Sequence, residues 1–163
     1  MATITIESFD QCGEQAVIDL IVSIQRDEFG FDITAEDQPD LRSIPSFYQN
    51  GLGGFWVAKS NGTVVGTIGL KDIGNGEGAL RKMFVASSFR SGEFKVGPRL
   101  LDRLIDQAGK QGCTRLFLGT TEEFRAAHRF YEKHVFVQIP AESLPPAFPR
   151  MALDTRFYMR PLG

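Results

Sequence analysis

The chain is short of cysteine and histidine. Cys12 and Cys113 are the only two thiols in 163 residues and have no metal-ligand spacing, so they read as reduced thiols, with a single bridge left open. His128 and His134, the only histidines, have no metal partners nearby in sequence; both read as part of a solvated helix surface, and no metal is expected. Long apolar runs are also missing. The early stretch AVIDLIVSI is short and broken by Asp19, and the start MATITIESFDQ lacks a basic segment followed by an apolar one, so a cytoplasmic protein without a membrane partner is expected. Neither charge sign dominates: 18 Lys and Arg stand against 20 Asp and Glu, a net charge of −2. Nothing in that balance suggests a nucleic-acid scaffold, and any phosphate site is expected to be local. There is no internal repeat and no low-complexity tract.

What is present fits one soluble domain spanning 1–163, with 42% apolar and 23% charged residues. TITIESF alternates as a short strand. Ala16, Val17, Leu20, Ile21 and Ile24 then recur at helical spacing, which predicts an amphipathic helix over 13–27. RDEFGFDITAEDQPD reads as an acidic loop, and Pro39 opens a second short helix carrying Leu41, Ile44, Phe47 and Tyr48. In FWVAKSNGTVVGTIGLKD two β-rich runs flank Asn61-Gly62, a pair that tolerates the positive φ angles of a tight hairpin. After the turn GNGEGA, ALRKMFVA reads as a third adjacent strand. A helix entered at Pro98 follows, with Leu100, Leu101, Leu104, Ile105 and Ala108 on one face. RLFLGT is a strand, FRAAHRFYEK a short helix with a capping box in Thr120-Thr121-Glu122-Glu123, FVQI a strand, and MALDTRFYMR a last strand. The strand, helix, strand unit from Leu80 to Thr120 requires a parallel pair in a mixed sheet.

That unit contains FRSGEFKVG, a loop from a strand end to a helix start, where partnerless amides and the positive end of the helix dipole attract anions. Gly92 and Gly97 have the spacing of a P-loop, but Pro98-Arg99 stands where Lys and Ser or Thr would hold terminal phosphates and magnesium. The dinucleotide pattern G-x-G-x-x-G is absent. On the anion logic alone, a plain surface turn remains an equal alternative.

Read together, LRKMFVASSFRSGEFKVGPRLLDRLIDQAGKQG, RLFLGTT and AAHRFYEKHVF resemble the GNAT superfamily of acetyl-CoA-dependent N-acetyltransferases, from the hairpin at Phe55 through the strand near Ile139. The resemblance implies an α/β fold with a mostly antiparallel sheet, one splayed parallel pair and about four flanking helices. It implies acetyl-CoA as co-substrate and direct transfer of acetyl to a small-molecule amine. Met83, Phe84 and Val85 would pair by their backbone with the pantetheine arm. Arg90, Ser91, Gly92, Glu93, Phe94, Lys95, Val96 and Gly97 would cradle the pyrophosphate, and Tyr131 would protonate the departing thiolate.

Three positions depart from the family pattern. The loop from Arg90 to Gly97 spans eight residues where six are usual, Lys95 stands where a glycine is usual, and Val135 replaces the glycine of the motif after Tyr-Glu-Lys. A member of the same fold that binds an acyl-CoA and catalyses nothing is the competing reading, and a phosphate-binding enzyme of another kind is a more remote one. Asp27, Glu28, Asp32, Glu36, Asp37 and Asp40 lie where the family borders its acceptor, which suggests a cationic acceptor, with Phe29 and Phe31 as an apolar wall. Glu77 sits in a Gly-rich turn and is not assigned as the base. The cluster Leu144 to Met151, with Phe157 and Tyr158, either closes the other side of the site or forms a homodimer contact.

Overall fold

A computed structural model describes residues 3–90 and 93–162. Seven strands form one sheet in the order β1-β2-β3-β4-β5-β7-β6. They are β1 (Ile4–Ser8), β2 (Gly54–Ser60), β3 (Thr63–Asp72), β4 (Glu77–Val85), β5 (Arg115–Thr120), β6 (Val137–Ile139) and β7 (Arg156–Pro161). Four helices flank it: α1 (Glu14–Ser23), α2 (Ile44–Phe47), α3 (Val96–Lys110) and α4 (Arg125–Lys133). β4 and β5 run parallel, and every other described pair is antiparallel. This is the mixed α/β architecture that the pattern implied. No helix among the described residues is long and apolar enough to cross a membrane.

The sheet is covered on both faces. In β2, Phe55 and Val57 pack with Val17, Ile21 and Tyr48 on the α1 side, while Trp56 and Ala58 pack with Leu100 and Leu104 of α3 on the other. Alternate side chains of a strand point to opposite faces, so a strand buried twice becomes a continuous apolar run. The hairpin turns on Asn61 and Gly62 at φ of 50° and 87°, as the sequence requires. α3 lies close on β3 because Gly66 has no side chain; a Cβ there would come within 3.0 Å of Leu100.

Several local expectations are corrected. The helix expected over 13–27 is α up to Ser23 and then loosens into a wider π turn over Ile24–Glu28. Such single π turns are frequent at functional sites. The capping box does not form: α4 starts at Arg125 behind Phe124, which offers no side-chain cap. The Thr121 hydroxyl is buried without a hydrogen-bond partner, and Glu122 instead pairs with Arg156 at 3.6 Å. The last strand covers only the second part of its expected span, since Met151 to Thr155 turn away as a loop. Cys12 is exposed and Cys113 buried, and both are free.

Candidate active site

The parallel pair is short. Glu77, Gly78 and Ala79 of β4 pair with Arg115, Leu116 and Phe117 of β5, and beyond them the strands part. From Leu80 to Val85 the edge of β4 facing β5 therefore has no ladder partner, and a cleft of about 420 Å³ opens there. It is walled by β4, the start of α3, α4, the π turn and the loop at Met151 to Asp154. Of the C-terminal cluster, Met151 reaches the lining, joined by Leu153 and Asp154 from the loop after it, while Phe148 is buried against Phe157.

One end of the cleft is aromatic. Phe29 and Phe31 stack at 6.1 Å, and both meet Phe124 edge-on at 4.6 and 5.6 Å. Phe84 closes the set at 6.3 Å from Phe124. Edge-to-face geometry of this kind is favourable beyond the buried area itself.

The other end is polar and buried. A bulge in β4 lets Phe84 pair with Thr67 but Arg81 with Gly69, so β4 carries one extra residue. Lys82 occupies it at φ of 53°, and its carbonyl accepts a 2.7 Å bond from the Thr67 hydroxyl. A positive φ in a residue with a side chain is strained and persists only where the surroundings hold it. The Lys82 side chain is 3% exposed and its ammonium donates to Gln38 Oε1 at 2.7 Å, with Asp40 Oδ2 at 3.8 Å. Gln38 is held by Gln25 through two amide bonds of 3.1 and 2.8 Å. Asp40 accepts a 2.6 Å bond from the Tyr48 hydroxyl, whose burial keeps it a phenol by raising its pKa well above the ordinary value. Arg81 donates to the same hydroxyl at 3.1 Å. Burial pulls Lys82 down to about 8 despite Asp40, and burial pushes the Asp154 carboxyl above the usual range.

Five of the eleven residues expected to hold a coenzyme line the cleft. Met83, Phe84 and Val85 lie on the open edge and line the cleft, as do Arg90 and Gly97. Ser91 and Gly92 lie outside the described residues. Glu93 is exposed, Phe94 packs on Phe89 at 5.3 Å, and Val96 is buried as the first residue of α3. Lys95 is exposed at the N-cap of α3 with φ 50° and ψ 43°, the left-handed conformation that a glycine would adopt without cost. Val135 does the same at φ of 72°. Both residues therefore hold a conformation that glycine adopts without cost. Arg90 is not free: Nε donates to the Val85 carbonyl at 2.7 Å, and its guanidinium grips both oxygens of Glu28. Tyr131 lies on the lining, its ring against Phe130, Phe136 and Tyr158.

Two expectations about charge change. Of the six acidic residues expected at the acceptor border, only Asp40 is buried beside the cleft, and it is engaged by Tyr48, Arg81 and Lys82. The other five are exposed, with Glu28 held by Arg90; the cleft is therefore not lined by an acidic loop. His128 is buried rather than solvated. Arg156 can only donate, so Nδ1 accepts its 3.0 Å bond and Nε2 donates to the Thr121 carbonyl at 2.7 Å. Glu77 is buried at the far end of β4 and pairs with Arg115. Sequence reasoning missed Lys82: plain strand alternation sends adjacent residues to opposite faces, whereas the bulge brings both Arg81 and Lys82 to Asp40 Oδ2, at 3.9 and 3.8 Å.

A model of the Acetyltransferase (GNAT) family matches residues 18–136. Among solved structures, the chain is similar to a GNAT-family acetyltransferase from Staphylococcus aureus, with 38% identity, a TM-score of 0.94, and coverage of 99% of this chain and 100% of that one. It is also similar to an acetyltransferase from Streptococcus agalactiae, with 31% identity, a TM-score of 0.92 and 98% coverage of each. It is 32% identical over 112 residues to a probable N-acetyltransferase, camello, of Xenopus tropicalis. That match covers 68% of this chain and 49% of the relative, so the chain spans about half of that protein's length.

Proposed function

Because the chain belongs to the Acetyltransferase (GNAT) family, we propose that residues 1–163 are one N-acetyltransferase domain moving acetyl from acetyl-CoA to a small amine. The observation that carries this reading is the unpartnered β4 edge from Leu80 to Val85 beside the start of α3. Such an edge accepts an extended amide-bearing chain as an added strand, and the pantetheine arm is one. The α3 start fits a diphosphate by its amides and dipole. Gly97 keeps the approach open, since a Cβ there would stand 3.3 Å from Phe130.

Tyr131 is the proton donor to the departing thiolate. Burial raises its pKa, and no hydrogen bond engages its hydroxyl among the described residues. It thus stays protonated across the working range and has a donor to spare. The acceptor is an amine whose apolar body packs on Phe29, Phe31, Phe84 and Phe124. The non-catalytic alternative drew on Lys95 and the lengthened loop, and Lys95 keeping a glycine's backbone conformation removes half of that support.

The test is thiol release from acetyl-CoA with a panel of amines, alongside calorimetry of coenzyme A binding. Turnover that favours aromatic or alkyl amines is expected. Binding without turnover for every amine would leave a binding module, and no heat on adding coenzyme A would remove the assignment.

A further inference from the structure

The transfer proposed above leaves one task without a residue. An alkyl ammonium with a pKa of about 10 must lose a proton before its nitrogen can attack. We propose that Lys82 takes that proton. The inference rests on the acetyltransferase reading and adds to it the identity of the base.

Three features of the site support it. Lys82 is built into the cleft wall by the β4 bulge and is held there against backbone strain by Thr67. Its surroundings suit an incoming proton: from the segment before α2 come Gln38 Oε1 at 2.7 Å and Asp40 Oδ2 at 3.8 Å. From the C-terminal loop come Met151 Sδ at 3.8 Å and the negative charge of Asp154, and from β4 itself Arg81 is the one neighbouring cation. Tyr48 and Gln25 act one step removed, through Asp40 and Gln38. Two carboxylates beside the amine would repel an anionic group, so this corner suits a proton better than a substrate carboxylate. Burial also brings Lys82 to about 8, within reach of the working range.

Three other candidates are occupied or distant, and Glu123 and Asp154 are two further carboxylates on the cleft lining. Both His128 nitrogens are engaged, Glu28 is held by Arg90, Asp154 accepts from the Met151 amide at 2.9 Å, and Glu77 lies at the opposite end of β4.

In the step, neutral Lys82 takes one proton from the acceptor ammonium and becomes an ammonium facing Asp40. The freed lone pair forms the C–N bond at the thioester carbonyl, and the C–S bond breaks with its electron pair going to sulfur. The acceptor nitrogen loses its second proton and the sulfur gains one from Tyr131, which that second proton restores. Lys82 returns its proton to water, so each turnover releases one proton.

The experiment compares the wild type with Lys82→Met and Lys82→Arg on two acceptors: an alkylamine, charged at pH 7, and an arylamine, already neutral there. Both variants should lose about 100-fold or more in kcat/KM with the alkylamine, and at least tenfold less with the arylamine. Equal losses on both acceptors would overturn the proposal while leaving acetyl transfer intact. A second readout uses the unliganded wild type labelled with 13C at lysine Cε. The resonance absent from Lys82→Met should titrate near pH 8, whereas a midpoint near the ordinary lysine value of about 10.4 would overturn the proposal whatever the kinetics. A wild type that binds no coenzyme A and turns over no amine would overturn both readings together.

Discussion

Arg90 closes on Glu28 with both terminal guanidinium nitrogens, tying the loop before α3 to the π turn after α1. The pair bridges the two walls of the cleft, one expected to meet the coenzyme and the other carrying Phe29 and Phe31. Each side chain is 34% exposed, so the pair contributes at most about 1 kcal/mol to stability. Its main effect is on position. Glu28→Gln should raise KM for the acceptor several-fold through a looser aromatic wall and lower Tm by no more than a few degrees. Arg90 holds the Glu28 carboxyl below its ordinary pKa, so this contribution is present above about pH 4.5 and disappears as pH falls through the lowered value. Steady-state kinetics and melting curves at pH 7 and pH 4 check it.

Tyr131→Phe should lower kcat by roughly ten- to ten-thousand-fold. Its hydroxyl carries no hydrogen bond among the described residues, so coenzyme A affinity and Tm should hardly change. A single-turnover assay with calorimetry of binding separates lost chemistry from lost binding.

Val135→Gly should stabilise the protein. Val135 is exposed and holds φ of 72°, which costs a β-branched residue about 1–3 kcal/mol. Part of that gain is offset by the greater freedom of glycine in the unfolded chain. A net gain of about 1 kcal/mol corresponds to a Tm rise of roughly 2–4 °C for a chain of this size. Activity should be unaffected, because Val135 is not on the cleft lining.

Lys82→Met should change the pH dependence of stability. The folded state lowers the Lys82 pKa to about 8 from 10.5, so between those values the unfolded chain binds more protons and stability rises with pH. Below pH 8 the folded protein carries a buried, imperfectly compensated ammonium, and that burden fades by about pH 10.5. The Tm of Lys82→Met relative to wild type should therefore be most favourable near pH 7 and should decline toward pH 10.5. Melting curves across pH 7 to 10.5 read this directly.

The order of elements was legible because each carries its own period or turn residue: Asn61-Gly62 for the hairpin, the Leu100, Leu101, Leu104 stripe for α3. That Met83 to Val85 lie on a strand leading toward the α3 start was legible through resemblance to a family. What was hidden depends on contacts between distant segments. The β4 bulge that turns Lys82 inward is a register shift against β3 and leaves no mark in β4 alone. Arg90 looked like a free phosphate ligand until Glu28, 62 positions away, was placed beside it. His128 looked solvated on its own helix because Arg156 and Thr121 reach it from outside that helix.

The brevity of the β4 and β5 seam bears on how the molecule comes apart. Three residues on each side join the sheet of β1 to β4 with that of β5 to β7. A guest lying along the vacant stretch would offer main-chain groups to a border the two halves do not fully stitch between themselves. Occupancy and cooperative melting then become one quantity: without the guest the halves can loosen separately, and with it they unfold as a unit.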